Sequence, residues 1–258
     1  MSAQPTSPTD TTLSPDAYLA LLRSDATRML ELAPRDLQAP VPPCPGWTAG
    51  DALLHTGEVY SHKVACMRRP DGPPRREDWD HGPAEDEDAA GWFRQRLDEL
   101  LEELESRGPD APCYTWHEDH RTTGFWYRRM AQETAVHRVD VESAFNDVTP
   151  VDQALALDGI DEVLDWFLVY QHADEVGPHA PGRGTVAVRT GDHIWRITLT
   201  PEEVELSREP GPADAVVSGE PSELLLWLWG RRPDTAVSRE GDDSLLGALR
   251  ERLRAVTQ

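Results

Sequence analysis

Lysine is nearly absent from this chain: Lys63 is the only one in 258 residues. Positive charge of any kind is scarce, with 25 basic against 47 acidic side chains and a formal charge of −22. A surface of that sign repels phosphate, which excludes nucleic-acid partners and binding to anionic membranes. No apolar run approaches the ~20 residues that cross a bilayer. Cysteine is sparse as well. Cys44, Cys66 and Cys113 are odd in number and form no CxxC, which argues against a disulfide framework or a thiolate zinc knot and for buried free thiols. Residues 1–12 lack both a basic cluster and an apolar stretch. That composition excludes an ordinary secretory signal, reads as a disordered tail, and places the protein in the cytoplasm. Neither a Gly-x-Ser-x-Gly elbow nor a dinucleotide loop is present; Gly182-Arg183-Gly184 precedes a strand instead of following one. The preference for arginine over lysine, with much Ala, Pro and Asp, has the look of a high-GC bacterial genome.

What is there falls into two halves. Tyr18, Leu21, Leu22, Ala26, Met29 and Leu30 recur at helical spacing and predict a helix over 15–34. Pro40, Pro42, Pro43 and Pro45 force an extended connection. Thr48 and Asp51 then make a capping box that opens a second helix to about Arg69. Residues 70–88, rich in Pro, Gly and charge, predict a solvated loop, with a lid over a site as the minority reading. A third helix follows over 89–106 and a fourth, the longest, over 123–146. The predicted N-terminal domain, 13–150, is therefore a four-helix bundle.

The second half, 151–258, reads as a small α+β domain. A helix over 152–172 leads to strands at 185–189 and 193–200, joined by the hairpin signal Gly191-Asp192. Short strands at 204–206 and 215–217 and helices at 220–229 and 244–255 complete it.

The fourth helix carries the chemistry. Its stripe of Trp126, Met130, Val141 and Ala144 also contains Glu133, His137 and Asp140, and the spacing predicts no lysine or arginine on that face. Ionisable groups turned into a core need a positive partner, and a divalent cation is the simplest. On the second helix, His55 and His62 share a face with Ala52, Val59 and Cys66. A histidine from there facing Glu133-x-x-x-His137 gives two imidazoles and one carboxylate. That set suits zinc with one position left for substrate, and non-haem iron equally. His117-Glu118-Asp119-His120, in a loop, reads as solvated polar sequence, and His62 as a core or rim histidine or a substrate contact.

Two signatures and a tail carry a family likeness. Pro43-Cys44-Pro45-Gly46-Trp47-Thr48, followed by Asp51 and His55, resembles the start of helix two in the mycothiol-dependent maleylpyruvate isomerase family. Glu133-Thr134-Ala135-Val136-His137-Arg138-Val139-Asp140 is similar to its second signature, within the DinB-like metalloproteins. The tail, Ala213 to Gly219 and then Leu224 to Arg231, resembles the family's sterol-carrier-like C-terminal domain.

The resemblance implies metal ligands at His55, Glu133 and His137, with Asp140 orienting a ligand. It implies that Arg231 lies near the cleft between domains and holds a substrate carboxylate. Trp47, Trp126 and His62 are the expected cofactor contacts. The implied cofactors are a divalent metal (zinc first, with nickel or iron as alternatives) and mycothiol. The implied activity is isomerisation or S-transfer on a small organic substrate, by a monomer or homodimer. A non-catalytic binding protein or a metal-dependent hydrolase on the same scaffold are the rivals.

Overall fold

The computed structural model describes residues 11–84, 88–171 and 182–257. Of the tail expected at 1–12, all but the last two residues lie outside them, as do residues 85–87 of the 70–88 segment and His172 at the end of the fifth helix. Four long helices open the fold: α1 (Pro15–Leu32), α2 (Ala49–Met67), α3 (Ala89–Arg107) and α4 (Thr123–Ala144). Their limits follow local chemistry. Ser14 caps α1 ahead of Pro15, Asp88 caps α3, and the α3 terminus is stopped by Gly108. The Thr48–Asp51 capping box forms in both directions.

The proline-rich connection folds back on itself before α2. Val41 N–H donates to Trp47 O at 2.9 Å, and Trp47 N–H to Cys44 O at 3.0 Å. Gly46 turns the corner at φ +90°, where a side chain would be strained. Trp47 is thereby held at the mouth of α2.

α1 packs on α4, and α2 packs on both α3 and α4. A Cβ at Gly57 would stand 2.3 Å from the Trp92 ring, so α2 and α3 meet there through a glycine. The helix α4 is buried almost all round: Arg128, Gln132, Arg138 and Glu142 are buried along with Trp126, Met130 and Val141. The apolar stripe expected of it is therefore too narrow a description. Its charged residues are satisfied internally, as when Arg138 donates to Glu142 Oε2 at 2.5 Å.

The second half forms an α+β unit. Helix α5 (Gln153–Glu162) continues in π-helical winding over Val163–Tyr170. A mixed five-stranded sheet follows, in the order β3-β2-β1-β4-β5, from β1 (Gly184–Thr190), β2 (His193–Leu199), β3 (Val204–Ser207), β4 (Ala215–Ser218) and β5 (Ser238–Gly241). β1 pairs antiparallel with β2 across the Gly191 turn and parallel with β4. Trp195, Ile197 and Leu199 alternate into the core as their spacing predicts. Helices α6 (Pro221–Leu228) and α7 (Asp243–Thr257) pack on α5 and on β1 and β4 respectively.

The chain divides into two compact units, one spanning Leu13–Val151 and the other containing Asp152–Gln258. Among the described residues, no helix is long and apolar enough to cross a membrane.

Candidate metal centre

His55 lies on the second turn of α2, and Glu133 and His137 are one turn apart on α4. Donor atoms of these three side chains lie within 4.8 Å of one another. Glu133 Oε1 is 3.4 Å from His55 Nε2 and 3.3 Å from His137 Nε2. Bonds of about 2.0–2.2 Å to a tetrahedral metal separate neighbouring donors by roughly 3.3–3.6 Å. The spacing on either side of Glu133 Oε1 fits that range, and the donor set suits a borderline divalent ion.

Asp140 is fully buried one turn beyond His137, with Oδ2 2.9 Å from His137 Nδ1. A carboxylate can only accept, so Nδ1 carries the hydrogen and Nε2 faces Glu133. Trp47 closes the cluster from the side. Its ring stacks on His137 at 5.9 Å between centroids and meets His55 edge-on at 5.1 Å. His55 is the most accessible of the three, at 40% of its side chain against 14% for Glu133 and 7% for His137.

The side chains of the cluster complement one another in charge. Burial works against charge at Glu133, but Arg129 and His137 outweigh it and hold the carboxyl well below its ordinary range. Burial likewise opposes the His137 imidazolium, yet Glu133 and Asp140 push its pKa up to about 9. Arg129 corrects an expectation: the face of Glu133 does contain an arginine. It sits one turn before Glu133, nearly buried, and donates to Glu133 Oε2. Spacing of i,i+4 on the same helix would have found it.

Other candidates fall elsewhere. His62 is turned from the cluster toward Lys63, Cys66 and the Trp79 ring. Trp126, two turns before Glu133, is buried with its indole N–H donating to Tyr114 O at 3.0 Å. Arg231, in the C-terminal unit, donates to Trp229 O at 2.9 Å. His117 is buried, not solvated, with its ring 4.5 Å from His120. Of the cysteines, Cys66 and Cys113 are buried and Cys44 only half-buried; none of the three forms a disulfide. The segment expected as a solvated loop is tied down in part, with Asp80 accepting from Trp92 Nε1 at 2.9 Å and its N–H donating to Ser61 Oγ at 2.8 Å.

Comparison with known proteins gives a consistent picture. The family model described as the mycothiol maleylpyruvate isomerase N-terminal domain matches residues 19–142, and the C-terminal domain of the same family matches 154–248. Two solved structures share the fold. One is a mycothiol-dependent maleylpyruvate isomerase, at 16% identity and TM-score 0.59; the other is a histidine-to-alanine mutant of such an isomerase, at 14% and 0.61. Each alignment covers 90% of this chain and 96% of the other. No functionally curated protein matches.

Proposed function

The chain belongs to the mycothiol maleylpyruvate isomerase family through both of its domains, and from that premise we propose a metal-dependent enzyme that uses mycothiol for isomerisation or S-transfer. The observation that carries the reading is the convergence of two imidazoles and one carboxylate from α2 and α4. His55, Glu133 and His137 would hold the metal, with zinc as the first choice. Bound there, it would lower the pKa of a thiol and make a thiolate available at neutral pH.

The chain's own residues do the rest. Asp140 fixes the tautomer and direction of His137. Trp47 walls the imidazoles and limits water around them. The exposed edge of His55 is where a ligand would approach. In isomerisation, the thiolate sulfur forms a bond to one carbon of a conjugated double bond, and the π electrons move onto the conjugated carbonyl oxygen. Rotation about the resulting single bond and loss of the thiolate restore the double bond in its other geometry. In S-transfer, the same sulfur displaces a leaving group, which departs with the bonding pair. Arg231 is the proposed contact for a substrate carboxylate. The acidic composition suits a cytoplasmic enzyme acting on small molecules, not on nucleic acid.

Cobalt substitution tests the reading. Mycothiol added to the cobalt protein should raise a sulfur-to-cobalt charge-transfer band, also in a Cys44→Ser, Cys66→Ser background. His55→Ala, Glu133→Ala and His137→Ala should each lose bound metal by elemental analysis. Wild-type metal content in all three variants would remove the ligand assignment. Saturating thiol without a spectral change would turn the reading toward a hydrolase or a binding protein.

A further inference from the structure

The single lysine is placed where a surface lysine would not be. Lys63 lies on α2 about two turns beyond His55. Its Nζ is 2.9 Å from His62 Nδ1 and 5.2 Å from the centre of the Trp126 ring on α4. Among the described residues it has no carboxylate oxygen within 4.0 Å. Exposed arginines such as Arg35, Arg94 and Arg189 also lack one, but Lys63 is half-buried. On α4 opposite, Arg129 is paired with Glu133 and Arg138 with Glu142.

Removing an ammonium from water is unfavourable unless something replaces its solvation. Here an aromatic face and one neutral acceptor do so in part. Burial, reinforced by the neighbouring ammonium, pushes the His62 pKa down to about 4, so at neutral pH its Nδ1 accepts from Lys63. Burial also holds Lys63 below its ordinary range. The other groups acting on Lys63 are Cys66, on the next turn of α2, and Glu133 and Arg129, from α4. Glu133 and Arg129 act on it with opposite sign and pair with each other. What remains is one positive charge without a counter-ion, beside two half-buried side chains, His62 and Lys63, that keep an edge to solvent. The Trp79 ring stands 4.5 Å from His62 at that edge.

The geometry points to an anion subsite in which Lys63, backed by Trp126 and His62, takes the carboxylate of a small organic acid. A monoanion matches the single charge. A phosphate dianion would need a second free cation, and Arg129 is engaged by Glu133. The subsite goes beyond the proposed metal centre and does not depend on it, since none of its contacts is a proposed ligand.

A uniquely lysine-labelled protein has one lysine signal, which makes the test direct. Full-length protein carrying [13C]lysine, stripped of metal, is titrated with acetate and, at equal ionic strength, with chloride or phosphate. Acetate should shift the Lys63 Cε–Hε signal saturably, chloride should not, and the midpoint of the lysine titration should move up. His55→Ala should respond as wild type does, which separates this subsite from the metal reading. Lys63→Met, checked for an unchanged circular dichroism spectrum, should bind acetate about 10–100-fold more weakly by calorimetry. An unmoved signal, a shift that chloride reproduces, tighter binding of phosphate than acetate, or loss of the response in His55→Ala would each overturn the proposal.

Discussion

His137 Nδ1 lies 2.9 Å from Asp140 Oδ2, one turn along the same helix, and both side chains are buried. The bond costs α4 nothing in backbone geometry, because residues three apart already face the same way. It commits one ring nitrogen and leaves the other, 3.3 Å from Glu133 Oε1, for a ligand. The aspartate thus sets the direction of the imidazole without reaching the cluster itself.

Asp140→Asn should therefore weaken the site without abolishing it. The amide oxygen can still accept from Nδ1, but the charge that makes His137 a better donor is gone. Metal affinity should fall by about 10–100-fold, with full occupancy recovered at high metal. A chelator competition giving wild-type affinity would reduce Asp140 to a structural helix residue.

The raised pKa of His137 has a signed consequence for stability. Its folded value of about 9 lies above the ordinary histidine value of 6.5. The extra stability is fully present below about pH 6.5 and is lost as pH rises through 9, a change on the order of 3 kcal/mol. Metal-free protein should lose melting temperature over that interval, and a His137→Gln variant should lose much less. Metal uptake runs the opposite way. It expels the His137 proton, so apparent affinity should climb with pH up to about 9 and then level off. Equal melting profiles for wild type and His137→Gln would remove the imidazolium from the account.

How far the sequence reveals this molecule depends on what each residue signals. Periodic apolar residues and caps locate α1 to α4 to within about two residues, and alternation locates β1 and β2. β5 was invisible. Ser238–Gly241 is polar and largely exposed, and it is a strand only because its backbone pairs with β4. The π winding over Val163–Tyr170 has no periodic signature distinct from an α-helix in so short a run. On α4, the apolar stripe is part of a helix buried on nearly every side, so periodicity does not reveal the buried arginines. The His55, Glu133 and His137 grouping was legible from spacing and resemblance together. Lys63 stands out in the sequence as the single lysine, but nothing in α2 alone reveals that Trp126 lies across from it.

Arg129 gives a last expectation, in which charge balance and metal binding oppose each other. Its guanidinium donates to Glu133 Oε2, while Oε1 faces the two imidazoles. Removing it leaves a buried carboxylate with less compensation, which typically costs about 3–5 kcal/mol. A bound cation would supply the missing positive charge, so the same substitution should cost the metal-loaded protein less. Linkage then requires that Arg129→Gln bind metal more tightly than wild type, by the difference between those two costs. Melting temperatures of loaded and stripped protein should accordingly separate further in the variant, and chelator competition should show the gain in affinity. The opposite result, a tenfold loss of affinity, would mean that Arg129 aims Glu133 at the metal, and that its positioning outweighs its competition for the carboxylate.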